Sequence, residues 1–286
     1  MQFNHSISQL KAKAKELLIG KSGTMALAVL ISTLIPSVAI SVFQMVINPN
    51  NIVSVFIYLI AVIAISLLSY VFYAGVTGMV LKVSRRQNIS VGNVFYMFTD
   101  RPDRYIGSGF LVSILTSLPA LPGIIVMISA IPYELIYKLA TYSSLSYSNE
   151  ELFLNGISYS DALNMTNLIL GMIPMFMLGF LLSMIGYVFS LWISLMYELT
   201  TYILIDNPDM RVIEALKASR LLTKGHRLDL FVLILSFIGW IILSIFTFGI
   251  LLLWVMPYMQ TTISLFYFDL TKEPVRENPA NAPFIS

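Results

Sequence analysis

Four long stretches of this chain contain no charged side chain. Asp, Glu, Lys and Arg are absent from residues 22–81, 106–133, 162–197 and 230–268. A helix crosses the hydrocarbon core of a bilayer with about 20 predominantly apolar residues, and each of these stretches is longer. Only 11% of the 286 residues are charged, whereas soluble domains carry roughly 25%, and a soluble fold could not hide so much apolar surface. The pattern predicts an all-α, polytopic membrane protein.

Turn signals divide these stretches into about six predicted transmembrane helices, arranged as three hairpins. The helices cover approximately residues 24–47, 52–82, 105–131, 165–205 and, as two helices in one shared run, 229–270. The turn in the shared run is predicted at Thr247-Phe248-Gly249, and that between the first two helices at Asn48-Pro49-Asn50-Asn51. At 1.5 Å per residue the fourth helix is roughly 60 Å long, and we expect a single crossing, kinked near Pro174.

The positions of the basic residues predict the orientation of the chain. With the fourth helix as one crossing, all 17 Lys and Arg residues except Lys138 lie on one side of the membrane. The positive-inside rule assigns that side, and with it both termini, to the cytoplasm. The predicted segments are a cytoplasmic amphipathic helix within 1–23, a membrane domain over 24–270 with an outer loop at 133–164 and cytoplasmic loops at 84–104 and 206–228, and a tail at 271–286.

Several polar segments outside the predicted spans carry helix signals. Residues 6–20 predict an amphipathic helix able to lie in the headgroup plane, because one face collects Ile7, Leu10, Ala14, Leu17 and Leu18. A second surface helix is indicated by the spacing of Val91, Val94, Phe95 and Phe98. Asn207 as N-cap and Pro208 at the first helical position predict a further helix, which Gly225 ends. The tail, with its prolines and asparagines, is expected to be disordered.

Three of the predicted helices share a Tyr followed four residues later by a Thr. The pairs are Tyr73 and Thr77, Tyr197 and Thr201, and Tyr258 and Thr262. Residues 13–31 also resemble residues 217–234, since each is a basic helix followed by a glycine and an apolar span. We interpret these likenesses as three hairpins related by parallel repetition. The alternative is chance resemblance between apolar helices.

Glu198 is the one acidic residue with long apolar sequence on both sides. An ionisable residue inside a membrane helix is a functional hypothesis, here a proton carrier or a cation site. The alternative is that Glu198, eight residues before Asp206, lies near the interface and pairs with a basic side chain. The polar residues that would line a seam with it, or else serve as helix–helix hydrogen bonds, are Tyr197, Thr200, Thr201, Tyr258, Gln260, Thr261 and Thr262.

A cluster of basic residues lies in the predicted cytoplasmic helix and just after it. Its members are Lys217, Arg220, Lys224, His226 and Arg227. Each basic side chain beside an anionic leaflet adds roughly 1 kcal/mol of attraction, so the cluster predicts a lipid-binding surface. The alternative is that these charges only set the topology, as they do in any cytoplasmic loop.

Catalytic and metal-binding patterns are missing from the chain. It contains no Cys, only His5 and His226 as histidines, and no HExxH, P-loop or Gly-x-Ser-x-Gly motif. Thiol chemistry, zinc sites and common hydrolase centres are therefore disfavoured. We expect no enzymatic activity, no cofactor, no bound metal and no nucleic-acid partner.

Several short motifs resemble a known family. They are Asp206-Asn-Pro-Asp209, Glu214-Ala-Leu216, Ser219-Arg-Leu-Leu222, Lys224-Gly-His226, Phe237-Ile-Gly-Trp240, Thr247-Phe-Gly249, Pro257-Tyr258, Phe266-Tyr-Phe-Asp269-Leu270 and, near the N-terminus, Leu10-Lys-Ala-Lys-Ala-Lys-Glu-Leu-Leu18. In these residues the chain resembles the domain of unknown function 975 family of Gram-positive bacterial membrane proteins, with residues 133–164 resembling an insertion. The resemblance implies a bacterial plasma membrane and about six helices, and it implies no known activity.

Two functions fit this sequence. The first is a non-enzymatic membrane protein that binds membrane lipid, with anionic lipid as the candidate, or a membrane protein partner in envelope homeostasis. It follows from the basic helices without a catalytic set. The second is a small transporter or lipid flippase that uses the polar seam around Glu198. An intramembrane enzyme is the least favoured reading, because paired buried carboxylates are missing.

Overall fold

The computed structural model describes residues 6–47, 52–137 and 159–272, and the regular elements in these ranges are helices. Five of them are long and apolar enough to cross a membrane, by length and composition: Ser22–Val46, Val53–Ser84, Pro102–Ser129, Leu163–Asp206 and Arg227–Phe246. The all-α membrane fold is therefore confirmed, while the count of six crossings stays a prediction. The predicted turn at 48–51, most of the outer loop and the tail beyond residue 272 lie outside the described residues.

The helices form two compact units. The first unit combines residues 1–112 with 195–286, and the second consists of residues 113–194. In chain order the elements are α1 (Ile7–Leu18), α2 (Ser22–Val46), α3 (Ile52–Ser84), a 3-10 turn (Val91–Phe95), α4 (Tyr96–Thr99), α5 (Pro102–Ser117), a second 3-10 turn (Leu118–Ala120), α6 (Leu121–Ser129), α7 (Tyr159–Tyr197), α8 (Thr200–Asp206), α9 (Val212–Leu222), α10 (Arg227–Leu235), α11 (Ile238–Phe246) and α12 (Leu252–Thr271).

The sixth predicted crossing corresponds to α12, in which 10 of 20 residues are buried. It packs against α1, α2 and α3, and every residue from Thr261 to Phe268 is buried. The predicted turn before it is present, because Phe248 and Gly249 both adopt a left-handed backbone conformation. α12 is 20 residues long but is not among the five apolar helices, because residues such as Gln260, Thr261 and Asp269 make it less apolar.

The N-terminal amphipathic helix is present as α1. Ser6 and Gln9 form a capping box at its start, and Gly20 follows its end with a φ of +76°. Leu10, Ala14 and Leu17 are buried where α1 packs against α12 and α3. Protein therefore covers this apolar face, and the location of α1 in the headgroup plane stays a prediction.

The fifth predicted helix is interrupted. α10 ends at Leu235 and α11 begins at Ile238. Lys11 of α1 reaches the interruption, where its Nζ lies 3.1 Å from the Ser236 carbonyl oxygen and 3.2 Å from Ser236 Oγ. The same Nζ lies 4.3 Å from the centroid of the Phe237 ring. A lysine from the N-terminal helix thus satisfies a carbonyl group that the interrupted helix leaves exposed.

The fourth predicted helix contains a break that was not predicted. α7 is 39 residues long, includes Pro174 and ends at Tyr197, and α8 resumes at Thr200. The backbone is therefore interrupted at residues 198–199, and the kink near Pro174 stays a prediction. The Met196 carbonyl oxygen accepts hydrogen bonds from the hydroxyls of Ser219, at 2.9 Å, and Thr223, at 3.4 Å. These α9 side chains compensate for the backbone hydrogen bond that the break removes.

The predicted helix start at Asn207 is also corrected, because α9 begins only at Val212. Asn207 instead closes α8, since its backbone and side-chain amides both donate to the Ile203 carbonyl, at 2.9 and 3.0 Å. The Arg104 guanidinium donates hydrogen bonds to other carbonyl groups of this segment. Its Nη2 lies 3.2, 2.8 and 3.0 Å from the carbonyl oxygens of Leu204, Asn207 and Met210. This arrangement holds the segment as a turn.

Two of the three Tyr–Thr pairs on which the predicted repeat is based form the same hydrogen bond. The Thr77 hydroxyl donates to the Tyr73 carbonyl at 2.9 Å, and that of Thr262 to the Tyr258 carbonyl at 2.8 Å. Tyr197 and Thr201 lie on either side of the break between α7 and α8 instead. The repeat itself stays a prediction.

In the second unit, α6 and α7 approach each other through glycines. A Cβ on Gly123 would lie 2.6 Å from the Gly179 carbonyl oxygen, and one on Gly186 would lie 2.7 Å from the Cα of Ala120. Such close backbone contact is typical of small residues between membrane helices. An apolar groove of about 410 Å³ lies beside this contact, lined mainly by Ile, Met and Phe side chains of the two helices.

Candidate functional site

Three of the five predicted lipid-binding residues lie along α9 and the turn that follows it. Lys217, Arg220 and Lys224 are all exposed; the first two share a helix face by their spacing of three residues, and Lys224 lies in the turn after Leu222. We call these three residues the basic stripe. Two large apolar side chains share this face, Ile213 at 60% exposure and Leu221 at 69%. The surface therefore combines cations with apolar groups, as helices at a membrane interface do.

The opposite face of α9 is fixed to the protein. Ala215 and Ser219 are fully buried, as is Thr223 just after the helix, and Leu216 is nearly so. The Ser219 hydroxyl holds the Met196 carbonyl at 2.9 Å. At the start of the helix, the Glu214 carboxylate accepts a hydrogen bond from the Arg211 backbone amide at 3.2 Å. The basic stripe is thus presented by a helix held at its start and along its buried face.

The other two predicted lipid-binding residues lie beyond the end of α9. His226 and Arg227 are half-buried in the turn into α10. His226 Nδ1 lies 3.1 Å from Asp229 Oδ2, so this ring already has an acidic neighbour within the chain. The five predicted residues therefore divide into three exposed basic side chains and two that are half-buried where the chain enters α10.

Glu198 lies at the break between α7 and α8 and is half-buried. Its carboxyl group is close enough to the phenols of Tyr73 and Tyr202 to interact with them electrostatically. Among the described residues no Lys or Arg pairs with it. The predicted alternative, an interfacial pair with a basic side chain, is therefore absent from the part of the chain that the structure describes.

The predicted polar seam separates into groups with different partners. The Tyr202 hydroxyl donates to the Gln260 carbonyl at 3.2 Å, which links α8 to α12 beside Glu198. Thr261 donates within its own helix, to the Pro257 carbonyl at 2.7 Å, and the Tyr258 ring packs edge-on against Phe237 at 5.0 Å. Tyr197 and Thr201 are half-buried near the break.

Two buried oxygen atoms near this region have no hydrogen-bond partner among the described residues. They are Thr200 Oγ1 and Gln260 Oε1. Thr200 begins α8 two residues after Glu198, and Gln260 is tied to Tyr202 through its backbone. Unsatisfied buried polar atoms are uncommon and call for a physical explanation. They mark this region as the polar part of the membrane-spanning helices.

A third cluster, which sequence reasoning missed, joins α3, α8 and α12. Arg85 Nη1 and Nη2 lie 2.9 and 2.8 Å from the two carboxylate oxygens of Asp206. The Tyr267 hydroxyl donates to the same carboxylate at 3.1 Å, and the Arg85 guanidinium lies 5.1 Å from the Phe268 ring centroid. The only signal in the sequence was the position of a basic and an acidic residue next to apolar helices, and it does not specify the pairing.

Burial also changes the pKa of a basic side chain next to α2. Lys21, which precedes the first apolar helix, donates from Nζ to the Gln87 carbonyl at 2.8 Å. Burial lowers the pKa of Lys21, and the nearby Arg86 guanidinium lowers it further. This lysine is therefore part of the packing between α1 and the end of α3, and not a freely hydrated cation.

The comparison with protein families extends the resemblance seen in the motifs to nearly the whole chain. A family model described as a protein of unknown function, DUF975, matches residues 1–274. The chain belongs to the DUF975 family. No curated protein and no solved structure matches it. The match includes the middle of the chain, where the DUF975 resemblance was not visible in individual motifs.

The structure gives a physical role to the most distinctive DUF975-like motif of this chain, Asp206-Asn-Pro-Asp209. Its first residue binds Arg85, and its second closes α8 and offers its carbonyl oxygen to Arg104. This motif therefore organises the junction between α8 and α9. Membership of the DUF975 family implies no chemistry, so the function is argued from the site alone.

Proposed function

We propose that this DUF975 protein is a non-enzymatic, multi-pass protein of the bacterial cell membrane that binds anionic lipid headgroups through the basic stripe. The observation that carries the proposal is the exposure of Lys217, Arg220 and Lys224 along α9 and the turn after it, while another face of α9 is buried. The binding would serve envelope homeostasis, with both termini in the cytoplasm, where the inner leaflet is anionic.

Two physical features support headgroup binding over a role in topology alone. A topology signal requires only positive charge in a loop, whereas here the cations are aligned and fixed to the protein by buried contacts. The exposed Ile213 and Leu221 beside them would enter the boundary between headgroups and acyl chains. A membrane protein partner with an acidic surface is the other ligand of this chemistry.

Neutralising the stripe by Lys217→Gln, Arg220→Gln and Lys224→Gln together should weaken the retention of anionic lipid. Each cation contributes up to roughly 1 kcal/mol near an anionic surface, so we expect the relative affinity for phosphatidylglycerol over phosphatidylcholine to fall at least about tenfold. The measurement is native mass spectrometry of the protein taken from nanodiscs that contain both lipids.

The matched control keeps the charge and changes only the side-chain shape: Lys217→Arg, Arg220→Lys and Lys224→Arg. It should retain the lipid preference of the wild type. Equal retention of phosphatidylglycerol by the wild type and the neutralised variant would show that the stripe is not the lipid site. A stoichiometric protein that co-purifies only with the wild type would identify a protein as the ligand instead.

A second candidate function is a small transporter or lipid flippase that uses Glu198. The observation that favours it is the position of this carboxyl at a helix break, beside Tyr73 and Tyr202, without a basic partner among the described residues. Interrupted membrane helices with ionisable residues are typical of transport sites.

For this second function, we expect Glu198→Gln to slow transfer across the bilayer about tenfold or more, a loss equivalent to removing one interaction of roughly 1.4 kcal/mol from the path. The measurement is the movement of fluorescently labelled phosphatidylglycerol between the leaflets of reconstituted vesicles. Asp209→Asn, which neutralises an exposed carboxylate in the α8–α9 turn, is the control and should leave the rate unchanged. Wild-type rates equal to those of protein-free vesicles would exclude this function for the labelled lipid.

A further inference from the structure

The depth of Glu198 follows from its distance along the helices to the charged layer formed by Arg85 and Asp206. Glu198 precedes Asp206 by eight residues and Tyr73 precedes Arg85 by twelve. At 1.5 Å per residue these separations are roughly 12 and 18 Å. The headgroup region on one side of a bilayer is only about 5–8 Å deep. With the Arg85–Asp206 pair at the headgroups, both side chains reach the hydrocarbon.

The surroundings of the carboxyl determine which charge state the fold tolerates. The titratable groups that interact with Glu198 are Tyr73 from α3 and Tyr202 from α8, and both phenols are neutral near pH 7. Among the described residues no Lys or Arg forms an ion pair with the carboxyl. An isolated carboxylate in an apolar medium is strongly unfavourable, and such groups take up a proton instead.

We infer that Glu198 is a proton-binding site within the membrane-spanning helices, occupied at neutral pH, with Tyr73 and Tyr202 as the neighbouring hydroxyl groups. The cluster is built across three helices, because Tyr202 is also hydrogen-bonded to the Gln260 carbonyl of α12. Tyr73, which is 36% exposed, and the half-buried Glu198 both reach the outer surface of the protein, whereas Tyr202 is fully buried. A proton would then be the ion used by the transport candidate described above. The biological use of this proton site rests on that candidate function.

The helix break next to Glu198 can couple proton exchange to a movement of the backbone. The Met196 carbonyl, two residues away, is held by Ser219 and Thr223 of α9 and not by the next turn of its own helix. Loss of the proton would leave a carboxylate that needs water or a cation, and the break is the point where the backbone has lost its regular hydrogen bonds. Proton release and movement of α8 are therefore expected to occur together.

The test is infrared spectroscopy of the wild-type protein in nanodiscs, which reports a protonated carboxyl directly and requires no transport. At about pH 7, well above the pKa of about 4.3 of a hydrated Glu, the wild type should show the carbonyl stretch of a protonated carboxyl group. The band should be absent from Glu198→Gln and retained in Asp209→Asn. If Glu198→Gln does not fold, Tyr202→Phe provides the second variant, because loss of the neighbouring hydroxyl should shift the frequency of the same band.

Thermal unfolding provides an independent measurement. If the folded state binds a proton that the unfolded state releases, stability falls as the pH rises. Between about pH 7 and pH 9 the midpoint of the wild type should therefore fall by about 2–4 °C more than that of Glu198→Gln.

Three outcomes would overturn the inference: no protonated-carboxyl band near pH 7, a band that survives Glu198→Gln, or a midpoint that responds to Na⁺ in place of choline in the wild type alone. The last outcome would identify Na⁺ as the occupant. A band present together with no lipid transfer would instead reject only the transport candidate.

Discussion

Replacing Gly75 by Ala should destabilise the protein by about 3 kcal/mol, near the upper end of what overpacking a well-filled core costs. A Cβ at this position of α3 would overlap the carbonyl oxygen of Val94 and lie 2.9 Å from its carbonyl carbon. Val94 is fully buried in the 3-10 turn Val91–Phe95. Because the obstacle is backbone, the turn must move as a whole, and no change of rotamer can relieve the overlap.

Gly78, one turn further along α3, is the matched control. A Cβ there would meet only the Met97 Cε atom, at 2.7 Å, and this atom is the flexible end of a side chain. Ala is also favoured over Gly inside a helix by roughly 0.5–1 kcal/mol. We therefore expect Gly78→Ala to change stability by less than about 1 kcal/mol.

The measurement is the midpoint of thermal unfolding of both variants in the same detergent. About 3 kcal/mol corresponds to a fall of roughly 6–12 °C for a chain of this size. Equal midpoints for the two variants would show that the segment at Val94 is not held against α3 as the structure describes. The contact would be absent from the folded protein in that case.

The class of fold was predictable from this sequence because it depends on a long-range average. Absence of charge over more than 20 consecutive residues is decisive for a membrane span, and it required no knowledge of partners. The presence of α1 was predictable for the opposite reason, since its apolar residues recur at helical spacing within the short range 6–20. Structural features that depend on a very long or a very local sequence pattern can therefore be predicted from the sequence.

The interruptions of the helices could not be predicted, because tertiary contacts compensate for them. No local signal indicated the break at Glu198 and Leu199, which separates α7 from α8. The compensating hydroxyls of Ser219 and Thr223 lie more than 20 residues later in the chain. The same holds for the break at Ser236, which is stabilised by Lys11 from the other end of the chain.

The helix start predicted at Asn207 was wrong for a related reason. A cap motif followed by proline and an acidic residue favours a helix start locally. Arg104 instead donates to three carbonyl groups of this segment. These carbonyl groups therefore bind the guanidinium and not the backbone amides of a new helix. The candidate site shows the same limit: exposure of the basic stripe followed from spacing along one helix, whereas the engagement of His226 by Asp229 did not.

Neutralising Asp206 by Asp206→Asn should destabilise the protein by about 1–3 kcal/mol, the cost of leaving a partly buried charged group without its full partner. The Asp206 side chain is 15% exposed and that of Arg85 is 28% exposed, so water screens the pair only in part. The carboxylate accepts both nitrogens of Arg85 and the Tyr267 hydroxyl. An amide can accept from only one of its two terminal atoms, so the three-sided contact cannot be rebuilt.

Glu16→Gln is the control for this substitution, because it makes the same chemical change in another arginine–carboxylate pair. Glu16 lies 2.9 Å from Arg86, but its side chain is 51% exposed, and exposed pairs contribute roughly 0–1 kcal/mol. Thermal unfolding at low and high salt compares the two, since salt screens the exposed pair far more than the partly buried one. A larger loss for Glu16→Gln than for Asp206→Asn would contradict the assignment of Asp206 as the residue that joins α3, α8 and α12.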